Sequence, residues 1–134
     1  SEHCYGTDNI QWSDIEPVIM RMWVNEMTKY EYNPLHSHNG NLTTVIFLEI
    51  PQNLAESNIG DVNKKTKKYD KPRDGAITFV PTEMKKYSHI RPLSIDPKPK
   101  KFYMLPANML HTVHPFDCEG VRISVSFNIQ FEIK

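Results

Sequence analysis

From Val121 to Ile129 the chain alternates without interruption. Val121, Ile123, Val125, Phe127 and Ile129 fall on one parity, and Arg122, Ser124, Ser126 and Asn128 on the other. A period of two is the mark of an extended strand with two distinct faces, so this run commits the C-terminal part of the chain to a β-sheet. Ten prolines, little helical periodicity and many β-branched or aromatic runs extend that to an all-β fold class. Strands are expected around Val18–Glu31, His36–Ile50, Ala76–Val80, Lys101–Leu105, His111–Pro115 and Val121–Ile133. Val18–Glu31 also admits a helix, since Met20, Met22, Glu26 and Met27 suit one. A short helix is expected near Trp12–Val18, with Ser13 as its N-cap.

A chain of 134 residues can bury one core, which predicts a single domain over residues 1–134. Sixteen Lys and Arg balance sixteen Asp and Glu, which argues against a nucleic-acid binder with a broad basic surface. No apolar run has the length of a membrane span and no secretory signal opens the chain, so no membrane partner and a cytoplasmic location are expected. Cys4 and Cys118 are too few for a disulfide framework, and a reducing compartment follows as the default, with a single Cys4–Cys118 bridge left open. The start at Ser1 rather than Met suggests an upstream segment that has been removed. Asn58–Asp74, with Lys64, Lys65, Lys67, Lys68 and Lys71, and Glu83–Lys100, with three prolines, read as long loops. A solvated face is the simplest account of the lysines, and a lid or a guide for an anionic substrate is the alternative.

His36 and His38 are two residues apart, so a short extended segment presents both imidazoles to one side. A distant His111 completes a set of three ligands, which leaves positions on a metal ion open for substrate or water. His114 falls on the opposite face from His111. If His111–Pro115 and Val121–Ile129 pair as a hairpin about Phe116–Gly120, His111 stands opposite Arg122. That hairpin places a guanidinium, suited to bidentate capture of a carboxylate, beside a metal-capable imidazole. Ser124 shares the face of Arg122, and Asn25 reaches the same region from the preceding strand. Trp12 and Trp23 read as core or interface residues.

The pattern of His36-Ser37-His38, His111 and Arg122-Ile123-Ser124 resembles that of the Fe(II)- and 2-oxoglutarate-dependent oxygenases. More narrowly, the chain is similar to oxygenase-like proteins of tailed phages and marine bacteria. The likeness runs through Trp23-Val24-Asn25, Asn33 to Thr43, Ile46 to Pro51, Leu105 to Phe116 and Arg122 to Ile129. The resemblance implies a double-stranded β-helix, a jelly roll of cupin-like type with little helix. It also implies Fe(II) and 2-oxoglutarate as cofactors, with His36, His38 and His111 on the metal. Arg122 and Ser124 would hold the far carboxylate of 2-oxoglutarate, and the reaction would be hydroxylation of a small-molecule or peptide substrate. Two positions depart from the wider pattern. His38 stands where an acidic residue is usual, and Asn41 stands where relatives often carry Asp.

Two other classes fit the residues: a three-histidine, cupin-type metalloenzyme that does not use 2-oxoglutarate, and a non-catalytic β-sandwich module of a virion or other assembly. The apolar parity of Val121–Ile129 needs cover, which predicts a homo-oligomer, an assembly partner or the chain's own N-terminal segment over that face.

Overall fold

The computed structural model describes residues 10–54, 74–81 and 92–134. Among the described residues eight strands form two four-stranded sheets, and every strand pairing is antiparallel. The strands are β1 (Ile15–Met27), β2 (Asn33–His36), β3 (Leu42–Glu49), β4 (Ile77–Val80), β5 (Leu93–Ile95), β6 (Phe102–Pro106), β7 (Leu110–Val113) and β8 (Arg122–Ile133). One sheet has the order β1-β8-β3-β6 and the other β2-β7-β4-β5. Their inner faces share one apolar cluster, with Met27, Val45 and Phe47 from the first sheet and Ile77, Phe79 and Val113 from the second. The all-β, jelly-roll expectation holds.

Local chemistry explains several element boundaries. β1 is an edge strand, so Pro17 costs it no ladder hydrogen bond that another strand needs. Its pairing to β8 slips at Met20, between Ile19 and Arg21, which changes the parity of everything that follows. Beyond that bulge Arg21, Trp23, Asn25 and Met27 stand opposite Asn128, Ser126, Ser124 and Arg122. The segment expected as His36–Ile50 is two strands, broken by a turn at Gly40 with φ +98°. A Cβ there would lie 2.9 Å from the Ile129 carbonyl oxygen, so glycine is required both for conformation and for space.

Two expectations are corrected. The helix near Trp12–Val18 is a single 3-10 turn over Trp12–Asp14. Its N-cap is Gln11 rather than Ser13, closed by reciprocal bonds between Gln11 and Asp14. Val18–Glu31 is the strand expected, ending at Met27, and not the helix it also admitted. β5 lies inside the stretch read as the loop Glu83–Lys100. Most of the lysine-rich loop, like Cys4, falls outside the described residues, and Cys118 is a free thiol.

The largest correction concerns the C-terminal hairpin. β7 does not pair with β8: it lies between β2 and β4 in the second sheet, while β8 lies between β1 and β3 in the first. The segment between them crosses from one sheet to the other. Arg122 therefore stands opposite Met27 and His111 opposite His36 and Phe79. The two parities of β8 also face opposite ways from a simple amphipathic strand. Arg122, Ser124, Ser126 and Asn128 are buried, while Ile123, Val125 and Phe127 are only partly covered. Beside them on the outer surface lie the exposed side chains of Met22, Val24, Phe102 and Met104.

Candidate metal and cosubstrate site

Cross-strand pairing of His36 with His111 puts two imidazoles side by side on the inner face of the second sheet. His38 lies just past the end of β2, so strand alternation does not hold it in place. Its backbone N–H donates to the Ala107 carbonyl at 2.8 Å, and this bond pins it beside the other two. The three ring centroids are 4.3–5.0 Å apart, and one ligand atom from each ring lies within 4.8 Å of the others.

The protons are placed by the backbone. His36 Nδ1 donates to the Pro34 carbonyl at 2.5 Å and His111 Nδ1 to the Met109 carbonyl at 3.0 Å. A carbonyl only accepts, so each ring holds a proton on Nδ1, and Nε2 is the nitrogen left to bind a metal. The Nε2 atoms of His38 and His111 are 3.2 Å apart. Two nitrogens each bound about 2.0–2.1 Å from a first-row divalent ion would be separated by roughly 3.0–3.4 Å. The His38–His111 pair thus fits such an ion, and the ligand atom of His36 lies within 4.8 Å of both. Burial, then the charges of His111 and His36, lowers His38 to about 4. Burial is also the main cause lowering His111, partly offset by its bond to Met109. Both rings are therefore neutral at pH 7, the form that binds metal.

Arg122 is 1% exposed and its guanidinium lies 4.9 Å from the centre of the Phe47 ring. Nη1 contacts Met27 Sδ at 3.5 Å, and Nε and Nη2 have no partner. Burial lowers Arg122 to about 10, which leaves it charged at neutral pH. A buried cation with two unsatisfied donors is costly, and such a group implies an anion that the site is built to receive. Ser124, 1% exposed, follows Arg122 on the same face. Arg122, Ser124, Asn25 and all three histidines line one cavity of about 270 Å³. The structure thus brings every expected site residue together, although by a different route from the hairpin.

Residues around the site complete the picture. Trp23 lines this cavity 5.2 Å from the His38 ring, rather than sitting in the core, whereas Trp12 is 83% exposed. Phe79 flanks His111 at 5.9 Å. Asn41 accepts a bond from the Phe131 N–H at 2.8 Å, a structural clasp on β8. His114 bonds Thr78 Oγ1 at 2.7 Å and does not line the cavity, as its parity indicated. Trp23 was legible from its parity with Asn25, but only after the bulge at Met20 is known.

Residues 21–128 match the model of a 2OG-Fe(II) oxygenase family, well over half of the chain. The chain belongs to that family. Membership implies Fe(II) and 2-oxoglutarate as cofactors, which the three convergent imidazoles and the unpaired guanidinium suit. The fold is similar to that of an oxidoreductase of the 2OG-Fe(II) oxygenase family from Burkholderia pseudomallei, known from its crystal structure. That likeness has a TM-score of 0.59 at 16% identity and covers 86% of this chain. It covers 44% of the Burkholderia chain, so the present chain spans less than half of that protein. No match is found among curated protein sequences. No helix among the described residues is long and apolar enough to cross a membrane.

Proposed function

We propose that the protein is an Fe(II)- and 2-oxoglutarate-dependent hydroxylase in which His36, His38 and His111 hold the metal. Arg122, Ser124 and Asn25 hold the cosubstrate. One observation carries this reading: a buried guanidinium with two unpaired donors opens into the same cavity as three convergent imidazoles. Arg122 fixes one end of a dicarboxylate by charge and paired hydrogen bonds. Ser124 adds a hydroxyl donor on the same face, and Asn25, opposite Ser124, adds an amide. Trp23 and Phe79 flank the imidazoles with aromatic surface, which lowers the local dielectric and strengthens each polar contact there. Bound Fe(II) and 2-oxoglutarate supply the oxidising power: one oxygen atom of O2 enters a C–H bond as hydroxyl and the other enters succinate, with loss of CO2.

The test is the full chain with Fe(II), ascorbate and 2-oxoglutarate, monitored for succinate and for O2 consumption. Succinate that forms with wild type and is lost in Arg122→Met supports the reading; no succinate and no 2-oxoglutarate binding refutes it. A second reading rests on the ligand set itself. Three neutral imidazoles leave the full charge of a divalent ion uncompensated, as in metalloenzymes that do not use 2-oxoglutarate. Metal binding with no 2-oxoglutarate binding and no effect of Arg122→Met would favour it.

A further inference from the structure

Among the described residues, three buried polar side-chain atoms have no partner. Two belong to Arg122 and point to the cosubstrate. The third, Asn128 Oδ1, does not, because Asn128 lines a second groove and not the first cavity. That groove, of about 680 Å³, meets the first at Trp23 and His38, which line both. Its other polar residues are Arg21, Ser37 and Asn39. Arg21 and Asn128 are direct cross-strand partners, so their Cβ atoms are about 5 Å apart on the inner face. The Arg21 guanidinium rests over the Trp23 ring at 5.7 Å and pairs with no carboxylate among the described residues. Asn128 is 7% exposed.

We propose that this groove is the primary-substrate subsite, and that the substrate is a small carboxylic acid with an N–H or O–H donor on the neighbouring carbon. The inference rests on the hydroxylase reading. Arg21 reads the carboxylate, held ready by its contact with the indole. Asn128 Oδ1 accepts the donor, which removes the cost of an unsatisfied buried acceptor. Because Arg21 and Asn128 are cross-strand partners, a ligand that engages both carries its carboxylate close to its donor, as in an N-acyl amino acid, a free amino acid or a 2-hydroxy acid. One indole ring separates the His38 imidazole from the Arg21 guanidinium. The C–H bond to be oxidised therefore lies on the side chain of the acid, about one aromatic ring from its carboxylate. Two guanidiniums thus serve two acids: Arg122 is buried for the cosubstrate, and Arg21 is exposed at the mouth for a substrate that exchanges every turnover.

The experiment titrates N-acetyl-leucine and N-acetyl-phenylalanine, with their uncharged carboxamides, into the full chain holding Mn(II) and 2-oxoglutarate without O2. Tryptophan fluorescence and calorimetry follow binding. Each acid should bind about tenfold more tightly than its amide, the worth of one charge-assisted contact. Arg21→Gln should bring that ratio close to one, while Arg21→Lys retains part of it. Asn128→Ala should weaken acid and amide alike, since both carry the N–H. Equal binding of acids and amides, no binding of either acid, or a preference that survives Arg21→Gln would overturn the proposal. If Mn(II) and 2-oxoglutarate themselves fail to bind, the hydroxylase reading falls; if they bind and the acids do not, only the subsite falls.

Discussion

Replacing Arg122 by methionine should make the ligand-free protein more stable while it removes 2-oxoglutarate binding. Depression of the guanidinium to about 10 by burial alone corresponds to roughly 3 kcal/mol of lost solvation. Because the folded chain holds this proton less tightly than the unfolded one, the penalty is fully present below about pH 10. It is relieved only as pH rises from there towards the ordinary arginine value. Methionine also gives up the cation–π contact with Phe47, worth about 1–2 kcal/mol in a desolvated setting. The balance favours Arg122→Met by about 1–2 kcal/mol, which is in keeping with replacement of other buried ions by apolar residues. For a chain of this size that is about 3–10 °C in thermal midpoint. The assay is urea and thermal unfolding of both proteins, each with and without Mn(II) and 2-oxoglutarate. Wild type should gain stability when 2-oxoglutarate is added, and the variant should not. Loss of more than about 2 kcal/mol in the variant without ligand would show that Arg122 is a structural group, and the argument from its unpaired donors would fail.

Three further outcomes are expected. His38→Ala and His111→Ala should each weaken Mn(II) binding by well over tenfold in calorimetry, since loss of a ligand exceeds the ~10–100-fold typical of a residue behind one. Metal-free protein should lose stability as pH falls from about 6.5 to 4, because the unfolded chain takes up a proton that the folded His38 refuses. His111 acts in the same direction, and a urea midpoint that stays flat over this range, or an equal slope in His38→Gln, would contradict it. Gly40→Ala should destabilise by about 1–3 kcal/mol in urea unfolding, because φ is +98° and the new Cβ meets the Ile129 carbonyl.

Much of the candidate site was legible because it depends on short-range rules. Arg122 and Ser124 share a face by strand parity, and His36 and His38 are too close in sequence to be far apart in space. His111 was legible only as a residue type at a distance, and its true neighbour, His36, is 75 positions away in sequence. Trp23 and Asn128 were missed as site residues for different reasons. The bulge at Met20 is what lines up Trp23 and Arg21 with the inner residues of β8, and a bulge has no reliable sequence sign. Asn128 was placed on the correct face, but nothing in a single strand says that a face of arginine, serine and asparagine turns inward.

Alternation along β8, the proximity of two imidazoles and the lack of a long apolar segment are properties of the chain itself, since backbone geometry repeats every two residues whatever surrounds it. Pairing of β7 with β2 and β4 instead of β8, and the inward turn of the polar parity, belong to the assembled sheets. Strand partners are chosen by the total burial and hydrogen bonding of the whole fold. Here that choice set His111 in one sheet and Arg122 in the other, facing across a shared cavity.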